Sequence, residues 1–359
     1  MSRVTDLARP EIRNMRPYQA AQYADGLTRL NANETPWHPP GDDSVRGLNR
    51  YPEIRPDDLT AALASYYGLA ADQLIVTRGS SEAIDLLIRC FCRPGDDDVV
   101  ICPPTFGMYE VYAQVQGAGI VSVPLAADYS LDMTALKNAW TERCKLLFIC
   151  SPNNPTGNLI PLQQIKQACE LTAGNGLVVL DAAYIEFADS DPTLELLKQY
   201  DNLVVLRTLS KALGLAGIRC GAALGQADVI ALLGCILPPY AYPTPCGEAA
   251  LAGLAEPNGL VRRIETLCTE RNRVSEALIK LDSVVKVWPS DANFVMTEVT
   301  NPEQFCSAVA AGGFLIRDFS SSQFTKNCVR ITIGEPQQND QLLAALSNTP
   351  DSINPESTD

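Results

Sequence analysis

The stretch Asp201-Asn202-Leu203-Val204-Val205-Leu206-Arg207-Thr208-Leu209-Ser210-Lys211 runs from a turn signal through four consecutive apolar residues to a lysine. An unbroken apolar run of that kind reads as a strand buried on both faces, as parallel sheets require. A lysine just beyond it lies at the carboxyl edge of the sheet, where open α/β folds place their ligands. Thr208, Ser210 and, after a Gly214-Leu215-Ala216-Gly217 turn, Arg219 surround that lysine with hydroxyls and a cation.

The same texture continues on both sides. Leu74 to Thr77, Val99 to Cys102, Ile120 to Val123, Lys145 to Cys150, Leu177 to Leu180 and Cys220 to Leu224 read as further strands. Between most of them lie segments with apolar spacing of three and four, such as Ile84, Leu87, Ile88 and Phe91. Repeated strand-helix units predict an α/β fold, a mostly parallel seven-stranded sheet flanked by helices. Beyond Gly247 a long charged helix from about Gly259 to Leu281 leads to shorter strands, Val284 to Trp288, Asn293 to Thr297, Phe314 to Arg317 and Cys328 to Ile333. These predict a smaller α+β domain. The expected organisation is an N-terminal arm over 1–40 joining the small domain, a large domain over 41–258, a small C-terminal domain over 259–347 and a disordered polar tail over 348–359.

The net charge of -14 over 359 residues argues against nucleic acid or an anionic membrane as partner, since both need a basic face. An anionic ligand would have to be held by a few placed arginines. The 12 cysteines are scattered through apolar segments with no Cys-x-x-Cys pair, which reads as buried thiols in a reducing cytoplasm rather than disulfides or a metal site. Met1 to Asn14 has no apolar segment like that of a signal peptide, and Val229 to Leu237 is too short to span a bilayer. The single histidine, His38, lies among Trp37, Pro39 and Pro40 in a loop and reads as structural or exposed. Proton transfer falls to lysine, carboxylate or tyrosine.

Several motifs end on the same sheet edge. Gly79-Ser80-Ser81-Glu82 follows a strand and opens a helix, so it is either a plain helix start or a phosphate cradle of free N–H groups. Ser151-Pro152-Asn153-Asn154-Pro155-Thr156-Gly157 forms a loop after another strand. Asp181, with Tyr184 three residues on, is either the next helix's cap or a carboxylate in a site. Arg317 and Arg330 fall in apolar strands of the smaller domain, where each needs a structural ion pair or an anionic ligand. Taken together these residues specify a site in which Lys211 holds an aldehyde cofactor as a Schiff base.

Through Ser151 to Gly157, Asp181-Ala182-Ala183-Tyr184 and Ser210-Lys211 to Arg219, the chain resembles the fold-type I pyridoxal-phosphate-dependent aminotransferases. It looks most like the histidinol-phosphate aminotransferase family, through Leu30-Asn31-Ala32-Asn33-Glu34, Arg50-Tyr51-Pro52-Glu53, Arg78 to Glu82, Cys102 to Tyr109, Arg207 to Lys211 and Val329 to Thr332. The resemblance implies pyridoxal 5'-phosphate as cofactor and exchange of an amino group between L-histidinol phosphate and 2-oxoglutarate. Lys211 would anchor the cofactor and shuttle a proton. Asp181 would pair with the pyridine nitrogen, and Asn154 and Tyr184 with the phenolic oxygen.

The resemblance also gives the phosphate to the Gly79-Ser80-Ser81 turn, Thr208, Ser210, Arg219 and Tyr51 of a partner subunit, which implies a homodimer. Phe106 would stack on the ring where relatives usually carry Tyr, and Ala182 stands where relatives commonly carry Glu. Arg317 and Arg330 would bind the anionic ends of substrates, with Tyr18 and Asn33 closing over them. Another reaction of the same fold, aromatic amino-acid transamination or decarboxylation of a phosphorylated threonine-type amino acid, is the alternative. No metal is implied.

Overall fold

The computed structural model describes residues 3–19, 21 and 26–347. Among them eleven strands form two sheets. The larger sheet contains β1 (Leu74–Thr77), β2 (Asp98–Ile101), β3 (Gly119–Ser122), β4 (Cys144–Cys150), β5 (Leu177–Asp181), β6 (Leu203–Thr208) and β7 (Gly221–Leu224), in the order β1-β7-β6-β5-β4-β2-β3. Neighbours from β6 to β3 are parallel, and only β7 runs antiparallel to β6 and β1. The expected mostly parallel seven-stranded sheet is therefore present, each strand within two residues of its predicted limits.

Register brings the site together. Cys150 lies opposite Asp181, and Asp181 opposite Leu206, so the loops leaving β4, β5 and β6 emerge side by side. Successive side chains point to opposite faces. Leu147, Ile149, Val178, Leu180 and Val205 build one buried layer, while Phe148, Val179, Val204 and Leu206 build the other. Helix Ser80–Phe91 covers the second layer through Ile84, Leu87, Ile88 and Phe91. Helix Met108–Gln116 stops at Gly117, whose φ of 71° supplies a left-handed cap without a side-chain clash.

The smaller sheet is antiparallel, ordered β10-β11-β9-β8, with β8 at Val284–Val287, β9 at Phe294–Val299, β10 at Arg317–Asp318 and β11 at Cys328–Thr332. Val295, Val329 and Ile331 pack on Val274 and Leu278 of helix Pro257–Leu278, and on Phe305, Val309 and Leu342. The strand expected over Phe314 to Arg317 begins only at Arg317. Phe314 is still tied by its N–H to Val309 at the end of the preceding helix, and Leu315 points to solvent.

The expected arm also differs. Residues 3–13 form two short helical turns whose Val4, Ala8 and Ile12 join the second layer of the larger sheet, near helix Ala227–Ile236. Their spacing of four makes one apolar stripe, which buries against the larger unit rather than joining the smaller sheet. The expected tail over 348–359 lies outside the described residues. Arg271 links the two sheets, Nη1 donating to the carbonyls of Phe187 at 3.2 Å and Ala292 at 2.9 Å. Asp291 adds a second link, its N–H donating to the Gly157 carbonyl at 2.8 Å.

One charged cluster braces β6 from within. The buried Arg207 guanidinium reaches Glu186 at 2.9 Å and Asp191 at 2.5 Å, and lies 4.7 Å from the Tyr67 ring centroid. Burial pushes the Glu186 carboxyl up, with Arg207 pulling against it. Burial also pushes Asp191 up, but Arg207 and Thr193 outweigh it and hold that carboxyl below the usual range. Removing the cation would strand Glu186 in a low-dielectric interior. Arg207→Met is expected to lower unfolding free energy by about 3–5 kcal/mol in urea titration. A loss of about 1 kcal/mol or less, the range of exposed pairs, would show that the cluster is solvated.

Candidate active site

Asp181 ends β5 with only 3% of its surface exposed and no ion pair among the described residues. Its Oδ2 accepts the Tyr109 hydroxyl at 2.8 Å, and its Oδ1 accepts the Ala183 N–H at 3.2 Å. Burial pushes the carboxyl up, while Tyr109, the Ala183 N–H and the charge of Lys211 pull it down, and the net direction is upward. A buried carboxylate with two neutral donors and no paired cation is a preformed partner for a protonated ring nitrogen.

Lys211 follows β6 and opens into the same space. Its Nζ lies 5.4 Å from the Tyr184 ring centroid. Burial, then the positive charge of Arg330, depress its ammonium below the ordinary lysine range. Asp181 opposes this, and Arg219 adds to it. The amine is thus available as a base or nucleophile at a lower pH than a solvated lysine. Tyr184 is buried, edge-on to Phe294 at 5.1 Å, and burial raises its phenol, so it stands as a neutral donor.

Arg330 comes from the smaller sheet. Its Nη1 donates to Asn154 Oδ1, its guanidinium lies 5.0 Å from the Phe294 ring and 5.3 Å from the Phe319 ring, and its buried Nε has no partner. No carboxylate pairs with it among the described residues. Arg317 is its direct partner across the β10–β11 ladder. Like charges placed opposite on a ladder repel. Two unneutralised guanidiniums on that side of the site form an anion trap.

A second anion cradle lies on the other side of Lys211. Helix Ser80–Phe91 starts at Gly79, φ 75°, with no side-chain cap, and no hydrogen bond among the described residues engages the Ser80 and Ser81 N–H groups. Arg219 donates to Ser210 Oγ at 3.3 Å, which leaves the serine proton free to donate. A Cβ on Gly79 would come within 2.6 Å of Arg219 Nη2, and one on Gly221 within 2.6 Å of Ser80 N. Both glycines hold this space open. Thr208 is nearby but engaged, donating to the Cys220 carbonyl at 3.3 Å and accepting from the Ser210 N–H at 3.2 Å.

The structure thus brings Lys211, Asp181, Tyr184, Asn154, Arg330 and Arg317 to one place, with Gly79, Ser80, Ser81, Ser210 and Arg219 beside them. Phe106 stands at its margin, edge-on to Tyr109 at 5.6 Å. Three expected residues stand apart among the described contacts. Tyr18 is 64% exposed, Asn33 is exposed at φ 56°, and Tyr51 stacks on Tyr240 at 4.8 Å. Tyr51 is held through Glu34, which accepts its N–H at 2.7 Å and pairs with Arg29 and Arg50. His38 stays in its loop, 3.1 Å from Asp42.

Sequence reasoning gave no role to Tyr109, which sits three residues after Phe106, a spacing that reads simply as core. All 12 thiols are free, and burial raises several, Cys102 to about 12 and Cys220 to about 11. Among the described residues no helix is long and apolar enough to cross a membrane. The charge coupling at Lys211 is testable in the cofactor-free protein by acylation followed by mass spectrometry. The pH midpoint for Lys211 should lie below that of exposed lysines, and Arg330→Ala should move it upward by removing a repelling charge. An unmoved midpoint would show that Arg330 does not act on the amine.

A family model described as aminotransferase class I and II matches residues 32–346. The histidinol-phosphate aminotransferase of Xylella fastidiosa (strain 9a5c) is 43% identical, with 96% of each chain covered. That of Yersinia enterocolitica serotype O:8 / biotype 1B is 41% identical over 99% of this chain and 96% of its own. A crystal structure of histidinol-phosphate aminotransferase from Sinorhizobium meliloti in complex with pyridoxal-5'-phosphate superposes with a TM-score of 0.75, at 26% identity, over 83% of this chain and 82% of that one. The chain therefore belongs to the class I and II aminotransferases, among the histidinol-phosphate aminotransferases.

Proposed function

We propose that this chain is a pyridoxal 5'-phosphate-dependent transaminase that exchanges an amino group between L-histidinol phosphate and 2-oxoglutarate, a step of histidine biosynthesis. The observation that carries this reading is the buried, ion-pair-free Asp181 carboxylate facing the depressed amine of Lys211. The relatives at 41–43% identity carry the name of this reaction, so decarboxylation and aromatic transamination are not favoured.

The donor set fits the cofactor. Lys211 would hold it covalently, Asp181 would face its ring nitrogen, and the Ser80 and Ser81 N–H groups with Ser210 and Arg219 would hold its phosphate. Asn154, whose Oδ1 is taken by Arg330, keeps its amide N–H groups for the phenolic oxygen, together with the Tyr184 hydroxyl. Phe106 would cover one face of the ring. When bound, the cofactor supplies an electron-withdrawing ring that accommodates the electron pair left on the substrate carbon. Lys211 Nζ would carry the proton between that carbon and the cofactor, in one direction in each half of the cycle. Asp181 keeps the ring nitrogen protonated throughout. Arg330 and Arg317 bind the carboxylates of glutamate or 2-oxoglutarate in one half of the cycle and the phosphate of the other substrate in the other half.

Tyr51, exposed and stacked on Tyr240, suits a contact with the phosphate of a partner subunit, which makes the proposed enzyme a homodimer. Tyr18 and Asn33 would close over the substrate from the N-terminal segment. Twelve unpaired thiols suit a cytoplasmic location. Residues 41–258 and 259–347 are proposed as the large and small domains, joined along helix Pro257–Leu278. The protein reconstituted with pyridoxal 5'-phosphate should absorb in the visible, and histidinol phosphate should discharge that band in a single half-reaction. No spectral change with histidinol phosphate, or borohydride labelling at a lysine other than Lys211, would overturn the reading. Arg330→Ala should raise KM for both glutamate and histidinol phosphate by about tenfold or more. Unchanged kinetics with both would remove Arg330 from the site.

A further inference from the structure

We infer that Tyr109 is a positioning residue for this reaction: its buried phenol fixes the Asp181 carboxylate beneath the cofactor's ring nitrogen and governs how fully that nitrogen keeps its proton. The inference rests on the proposed function and assigns a role to a residue outside the expected set. Tyr109 is 0% exposed. Its ring stacks on Phe148 of β4 at 4.7 Å and 16°, and meets Phe106 edge-on at 83°. Held between two aromatic rings, the phenol oxygen is fixed in place, 2.8 Å from the acceptor Asp181 Oδ2 and beside the Cys150 thiol.

The two oxygens of Asp181 are thus fixed from different elements, Oδ2 by the helix Met108–Gln116 and Oδ1 by the Ala183 N–H after β5. Packing alone does not explain the hydroxyl. A phenylalanine would fill the same space, and a buried hydroxyl without an acceptor carries a desolvation cost. The other titratable groups facing Asp181 are Cys150 on β4, Tyr184 and Lys211. Burial keeps the Cys150 thiol, the Tyr184 phenol and Tyr109 itself neutral, so the local charge is that of Asp181 and Lys211, with Arg330 and Arg219 acting on the lysine. Tyr109 is then the strongest neutral donor stabilising the carboxylate form. It also ties Phe106, the proposed ring-stacking residue, to the same carboxylate.

Tyr109→Phe removes the donor and keeps the shape. Without it Asp181 competes more strongly for the proton it shares with the ring nitrogen. The nitrogen then carries less positive charge, and the cofactor-linked Lys211 nitrogen keeps its own proton to higher pH. Three readouts follow in the reconstituted enzyme. The dissociation constant for pyridoxal 5'-phosphate, titrated into cofactor-free protein, should rise by about tenfold, the loss of one charge-assisted hydrogen bond. The pH midpoint of the visible band should move upward. The rate constant kcat should fall by about tenfold while KM for glutamate changes by less than about twofold.

Replacing Tyr109 with 3-fluorotyrosine, a stronger donor of nearly the same size, should move the midpoint downward. A purely structural tyrosine would lower stability without moving the midpoint in opposite directions in the two proteins. If wild-type protein gains no visible band, the proposed function fails and this inference with it. If wild-type gains the band and Tyr109→Phe keeps its midpoint and dissociation constant, only this inference is overturned. Should Tyr109→Phe not fold, the fluorinated protein decides, and an unmoved midpoint overturns the inference.

Discussion

A carboxyl group held away from water and without a salt-bridge partner is costly for a fold to maintain, and Asp181, which burial pushes up, is such a group. The effective penalty for burying one charge is several kcal/mol. Two neutral hydrogen bonds and the field of Lys211 offset part of it. The remainder is relieved by a proton, or by a cation that arrives from outside the chain. Aromatic side chains shape the space around the carboxyl group. The aromatic stack Phe106, Tyr109 and Phe148 closes one side, and Tyr184 with Phe294 closes another.

Parallel pairing makes the convergence possible. Because β4, β5 and β6 run in one direction and in register, their carboxyl ends deliver three loops to one edge without long detours. The smaller sheet then contributes Arg330 and Arg317 from across the site, and Arg271 fastens the two units through backbone carbonyls rather than through another charge. Of the buried charges elsewhere, Arg207 is neutralised by Glu186 and Asp191, while Arg271 is held by backbone carbonyls alone among the described residues. Asp181 and Arg330, neither in an ion pair among the described residues, meet where a ligand would supply the counter-charge.

The larger sheet was legible because its strands are short apolar runs followed by helices with a clear period of three to four, as around Ile84 to Phe91. The smaller sheet was legible as strands, except for β10, where Phe314 and Ile316 look like strand residues but are held by the preceding helix. Within the arm, the turns over 3–13 were not legible because the Val4, Ala8 and Ile12 stripe is too short to register as an amphipathic helix until its partner surface is visible. Of the site, Lys211, Asp181 and the Gly79-Ser80-Ser81 turn could be placed from strand ends alone. Tyr109 could not, because a hydroxyl pairing across 72 residues leaves no mark in local spacing. Tyr18, Asn33 and Tyr51 rested only on resemblance, and within one chain Tyr18 and Tyr51 are exposed, Tyr51 stacking on Tyr240.

The opposition of Arg317 and Arg330 across the β10–β11 ladder has a consequence for how one pocket serves two unlike molecules. An amino-group exchange admits its partners in turn, never together, so both must use the same seat. A seat shaped closely to an imidazole would refuse a dicarboxylic acid, and the reverse would hold as well. As the proposed substrate anchors, two guanidiniums with no counter-ion of their own would set a different entry condition, a compact anion, and would leave the rest of the molecule free to vary. Alternation between chemically distant partners then becomes a question of charge placement rather than of remodelling the cavity at every half-cycle.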